Sequence, residues 1–263
     1  MQTTGRNLWT REELIVTLSL YFQLPFGRLN RTTREVINLA ALIGRSNNSV
    51  ALRLVNFAAC DPYILATGRH GMSSGVQVCQ PIWDEFYNDK ERLFYEAEQI
   101  KANYLHQTIE QVKGISTNAT GAERIAIIKQ RVNQDVFRSM ILANYNERCA
   151  ITGINHPSLL IASHIIPWSD NEAERLNPEN GICLSALYDK AFDKGLITIR
   201  PDDYTIKVSK ELKDRLTKDS YDNHFKPIED MKIIIPEEHI PSVSCLEYHF
   251  VNIFVFYAST NKL

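Results

Sequence analysis

The first strongly patterned stretch of the chain is WTREELIVTLSLYFQL, in which Leu14, Ile15, Leu18, Tyr21 and Phe22 fall on one helical stripe. Thr10 suits an N-cap, Glu13 completes a capping box, and Pro25 and Gly27 close the helix. A second helix fits 34–43, closed by Gly44, and a third fits 47–59, capped by Ser46 or Asn47 and stopped by Asp61-Pro62. Helical patterns return over 82–103 and 123–144, the latter with a break expected near Asn133. Between them, residues 101–122 contain KGISTNATGA and mark a domain boundary. The period then changes. LLIASHIIPW is an apolar run of β type that carries His164 and ends at Pro167. A polar excursion, SDNEAERLNPEN, leads to the turn signal Asn180-Gly181, a short strand from Ile182, and a helix over 185–194 stopped by Gly195. The order is strand, loop, strand, helix. A further hairpin fits 196–199 with 205–208.

The segment REVINLAALIGRSNNSVALRLVNF has the form of a helix-turn-helix, with Leu39, Ala40 and Ile43 before the turn and Val50 and Leu54 after it. In such a unit the start of the second helix enters the major groove, which here presents Arg45, Asn47, Asn48 and Arg53. A plain helical hairpin fits the same pattern. Charge favours DNA contact. The chain's net charge is −2, yet residues 1–80 hold eight cations, all arginine, against four acids. Arginine suits bidentate contacts to phosphate and guanine. The Gly-containing stretch ATGRHGMSSGVQ places Arg69 and His70 either on a phosphate-reaching loop or on a surface connector.

The chain has 263 residues, enough for two modest domains, and its 44% hydrophobic and 23% charged content is ordinary for a globular protein. It has no apolar run of transmembrane length, and its first residues lack the basic and apolar regions of a signal peptide. A cytoplasmic location, with no membrane partner, is therefore expected. The five cysteines include no C-x-x-C pair, so reduced, mostly buried thiols and no structural zinc are expected.

Four submotifs stand in order from Cys149: Cys149-Ala150-Ile151-Thr152-Gly153, then Ala162-Ser163-His164-Ile165-Ile166-Pro167-Trp168, then Asn177-Pro178-Glu179-Asn180-Gly181-Ile182-Cys183-Leu184, then Phe192-Asp193-Lys194-Gly195-Leu196. Together they resemble the HNH endonucleases, the ββα-metal nucleases, in the restriction-type branch. The resemblance implies that His164 is the general base, that Asn180 holds the catalytic loop, and that Asp189 stands on the helix as a metal ligand where the family name has histidine. Asp193, one helical turn on, shares that face and is a second candidate ligand. Where many relatives have an acid before the histidine, this sequence has Ser163. One divalent ion per site, Mg²⁺ or Mn²⁺, is implied. PSVSCLEYHFVNIF resembles a C-terminal helix of the same branch, and W-T-x-E-E-L, L-P-F-G and S-V-A-x-R-L-x-N-F resemble the N-terminal region of bacterial restriction-type relatives.

The expectation is an α+β protein: a helical DNA-contacting domain over 1–114, then a ββα-metal nuclease domain over 115–263 with its core motif at 148–199. It would cut double-stranded DNA in restriction or defence, as a homodimer if both strands are cut. The rival expectation is a DNA-binding regulator whose nuclease unit has decayed.

Overall fold

A computed structural model describes residues 8–254. The chain divides into two compact units, Met1–Val136 and Phe137–Leu263. The division falls later than residue 114 because the segment after it is tied to the helices before it: Lys113 pairs with Asp135 at 3.3 Å, Arg124 pairs with Glu110, and Asn133 Nδ2 donates to Glu91 at 3.0 Å.

The first unit is helical: α1 Arg11–Tyr21, α2 Arg34–Leu42, α3 Asn47–Ala58, α4 Pro62–Ala66, α5 Val76–Phe86, α6 Lys90–Tyr104, α7 Ile109–Lys113 and the start of α8 Gly121–Asn144. The capping box at Thr10 and Glu13 forms as the sequence dictates, with each side chain bonded to the other's backbone N–H. α1 lies against α2, α3, α5 and α6, and is buried continuously from Glu13 to Tyr21. Full burial of each such Leu or Ile contributes about 1.5–3 kcal/mol. Gly44 ends α2 at φ +68°, a left-handed conformation that a side chain would strain. The acidic stretch over 82–103 is two helices, because Asp89 caps α6 afresh by accepting from Arg92 N–H. α8 runs unbroken through Asn133, whose side chain bonds Glu91 instead of competing with the helix backbone.

The second unit carries the ββα segment. β1 Leu160–His164 pairs antiparallel with β2 Gly181–Ser185, placing His164 opposite Gly181, and α9 Ala186–Asp193 follows at once. A second ribbon, β3 Ile197–Ile199 with β4 Ile206–Val208, leads to α10 Lys210–Arg215, α11 Lys218–His224 and α12 Val243–Tyr248, which continues as a π-helical turn His249–Phe254. Gly181 is needed where it stands. A Cβ there would lie 2.2 Å from Ile141 Cδ1 and 2.8 Å from Phe137 Cζ on α8. Cys149 Sγ receives N–H groups from Thr152 and Ser185, so the C-x-x-T-G turn is tied to the end of β2. Among the described residues, no helix is long and apolar enough to cross a membrane.

Candidate active site

His164 ends β1 with its ring packed between aromatics. Phe137 stacks on it at 3.6 Å and 12°, and Trp168 meets it edge-on at 5.5 Å. Its Nε2 lies 3.1 Å from the carbonyl oxygen of Arg175. A carbonyl can only accept, so Nε2 carries the proton and Nδ1 is the acceptor of the neutral ring. Burial lowers the pKa of His164 below the usual imidazole value, and the Arg175 carbonyl opposes that in part. The neutral form is thereby favoured, which is the form a base requires.

Asn180 is almost fully buried, and both polar atoms of its side chain are bonded: Oδ1 accepts from Ile166 N–H at 2.8 Å, while Nδ2 donates to Ile166 O at 3.2 Å and Glu174 O at 3.1 Å. Its own backbone O accepts from Ile165 N–H. It clamps both ends of the loop that leaves β1 behind His164.

α9 brings Asp189 and Asp193 to a cleft of about 410 Å³ that His164, Ser163, Trp168 and Lys190 also line. Asp189 is buried and its carboxyl is pushed up to about 6, first by desolvation and then by the charge of Asp193. Asp193 keeps solvent access at the rim, yet partial burial still raises its pKa. Ser163 Oγ is buried with no formed hydrogen bond, although it lies near enough to Asp189 to favour the ionised carboxylate. Two carboxylates that repel each other beside an unpaired hydroxyl suit a hard divalent cation. Among the described residues no three His, Cys, Asp or Glu side chains converge as a ready-made cage. The donor set therefore fits an ion that keeps several waters, as Mg²⁺ does.

The far wall of the cleft comes from residues whose sequence pattern gave no functional signal. His249 and Ile253, on the π-helical turn, line it. His249 is buried, stacks on Phe192 at 3.7 Å, and uses both ring nitrogens, with Nδ1 2.9 Å from Thr198 Oγ1 and Nε2 3.1 Å from Phe192 O. Tyr248 donates to Asp170 Oδ2 at 3.0 Å, fastening the same C-terminal segment to the loop after β1. Only the helix itself was legible there, because its partners lie 51 to 78 residues away. Burial lowers the His249 pKa from 6.5 to about 4. The unfolded chain therefore binds a proton first as pH falls, and His249's contribution to stability is lost between about 6.5 and 4. That loss amounts to roughly 3 kcal/mol. Urea unfolding across that range should show a steeper decline for the wild type than for His249→Gln; equal slopes would contradict it.

Comparison with protein families matches residues 149–200 to the family described as HNH endonuclease. Residues 149–200 form an HNH endonuclease domain. No curated protein matches the chain. The HNH domain coincides with the small ββα segment and follows a helical region spanning about 11–147. Such a domain implies nuclease activity, that is, phosphodiester cleavage in a nucleic acid, and its family typically uses a divalent metal.

The residues expected at a DNA surface differ in exposure. Arg45 is held inside the first unit: its Nε and Nη2 each lie 2.7 Å from a Glu13 oxygen, Nη2 also donates to Leu8 O, and the guanidinium covers Trp9 at 4.4 Å. Only 8% of its side chain is exposed. Its place in the sequence suggested DNA; the structure pairs it with Glu13, a buried carboxylate that requires a partner. Burial pushes the Glu13 pKa up, and the bonds from Arg45 and Thr10 together bring it below the usual value. Arg53 is half-buried over the same Trp9 ring, with Nη1 3.4 Å from Gly75 O. Asn48 is exposed and Asn47 partly so at the start of α3, with Arg31 Nη1 3.5 Å from Asn48 Oδ1. Arg69 lies partly exposed over Phe26. Arg6 lies outside the described residues. Arg45→Ala should lower the stability of the first unit by about 3–5 kcal/mol, as removal of one member of a buried pair does. A thermal melt checks this, and loss of DNA affinity with an unchanged melt would instead make Arg45 a contact residue.

Proposed function

We propose that this protein is a metal-dependent endonuclease of double-stranded DNA. The supporting observation is the single cleft that gathers His164, Asp189 and Asp193 on a ββα frame. In this reading His164 accepts the proton of the attacking water at Nδ1, and Asn180 holds the loop behind it. Asp189 and Asp193 would hold one Mg²⁺ or Mn²⁺. A bound ion of that kind offsets charge on the scissile phosphate and the leaving 3′-oxygen. Lys190, also in the cleft wall, is placed to meet the DNA backbone.

The helical unit supplies selection in this account, through Asn47, Asn48 and the neighbouring Arg31 on and beside α3, with Arg69 as a backbone contact. A helix that presents short polar side chains at its N-terminal turn suits a major groove. The product carries a 5′-phosphate, the biological setting is restriction or defence, and a homodimer supplies the second cut. Incubating plain, methylated and hydroxymethylated duplexes with the protein in Mg²⁺ and in Mn²⁺, followed by end-group analysis, tests the reading. Double-strand cuts with 5′-phosphate ends on at least one duplex are expected. Cleavage confined to RNA, or ends bearing 3′-phosphate, would overturn it. A DNA-binding regulator with a decayed nuclease unit is the weaker reading, because His164, Asn180 and Asp189 are all retained.

A further inference from the structure

The loop after β1 contains a residue that reaches His164 from two sides. Arg175 Nε donates to Trp168 O at 2.9 Å, and its guanidinium lies 5.1 Å above the Trp168 indole. That indole meets the His164 ring edge-on, and His164 Nε2 in turn lies 3.1 Å from the Arg175 carbonyl. The contacts form a closed circuit: Arg175 side chain to Trp168, Trp168 ring to His164, His164 back to Arg175 backbone. The Asn180 side chain fixes the same loop at Ile166 and Glu174. The stretch that carries Trp168 is fastened across to Arg175 by the Arg175 side chain. The pair Arg175–Glu172 does not account for this placement. Glu172 is 83% exposed, whereas the Arg175 side chain is only 22% exposed, and an exposed pair contributes at most about 1 kcal/mol.

We propose that Arg175 is a positioning residue for His164: its side chain pins its own carbonyl, and that carbonyl fixes the histidine with the proton on Nε2 and the acceptor at Nδ1. Partners of this kind hold ring tautomer and orientation in many histidine sites. The inference rests on the reading of His164 as the base. It adds that the base is set by Arg175, a residue outside the four submotifs.

The test uses the full chain in Mg²⁺ buffer, with ¹⁵N NMR of the histidine rings and single-turnover DNA cleavage on the same samples. His164→Ala identifies the resonance. The wild type should show one His164 tautomer, protonated on Nε2. Arg175→Ala should show a second tautomer, protonated on Nδ1, with cleavage slowed roughly 10- to 100-fold and KM within about twofold. If Arg175→Ala does not fold, the comparison passes to Arg175→Lys, whose ammonium cannot both bond Trp168 O and lie flat on the indole. A folded variant with an unchanged tautomer and rate overturns the inference. Undiminished cleavage by His164→Ala would instead overturn the reading beneath it, so the two failures are distinct.

Discussion

His164→Ala is expected to lower the cleavage rate by roughly 100- to 10,000-fold, the range that a positioned general base supplies, while DNA affinity stays within a few-fold of wild type. The expectation follows from where the ring is held. Its Nε2 is committed to Arg175 O, Phe137 stacks on one face, Trp168 meets the ring edge-on, and the side chain lines the cleft that also holds Asp189 and Asp193. Nothing in that arrangement makes His164 a binding residue for the distant parts of a duplex. The variant therefore separates binding from chemistry. Single-turnover cleavage and a filter-binding isotherm on the same preparation check it. Equal losses in both would show that the imidazole contributes to binding or folding instead.

Asn180→Ala should destabilise the HNH domain by at least about 3 kcal/mol, because it orphans the buried N–H and C=O of Ile166 and the C=O of Glu174 at once. For a unit of this size that corresponds to a fall in melting temperature of roughly 10 °C. Activity should fall further than unfolding alone explains, since the loop released is the one whose Arg175 carbonyl holds His164. Asn180→Asp is the informative companion. It keeps the acceptor for Ile166 N–H but places a carboxylate against two carbonyl oxygens, so it should be no better than alanine. Calorimetry with cleavage at a temperature where both variants remain folded distinguishes the two effects. A stable, fully active Asn180→Ala would remove the clamp from the account.

Much of this was legible along the chain, and the boundary of legibility is physical. The capping box at Thr10 and Glu13 depends on residues a few positions apart and forms as read, whereas Asn180-Gly181 makes no turn of its own: Asn180 ends a 3-10 turn from Pro178 and Gly181 starts β2 in extended conformation. The ββα order could be read because the hydrophobic period changes at Leu160 and again after Ser185. The pairing of Arg45 with Glu13 could not be read from its neighbours. Its partner Glu13 is 32 residues away, and nothing local distinguishes a buried guanidinium from one facing DNA. Likewise the motif named His164 and Asp189 but not the residues that hold the histidine or close the cleft. Phe137 comes from α8, His249 from the far end of the chain, and Arg175 from a loop whose polar composition resembles any other.

In the proposed function the cleft of His164, Asp189 and Asp193 cuts DNA with a divalent ion. Nicking of supercoiled plasmid tests it most directly, with Mg²⁺, with Mn²⁺ and with excess EDTA, alongside Asp189→Ala. The account predicts nicked and linear products with at least one of the two metals. It predicts none in EDTA, and a loss of at least about 100-fold in the aspartate variant. Cleavage that persists in EDTA, or that survives Asp189→Ala undiminished, would contradict it.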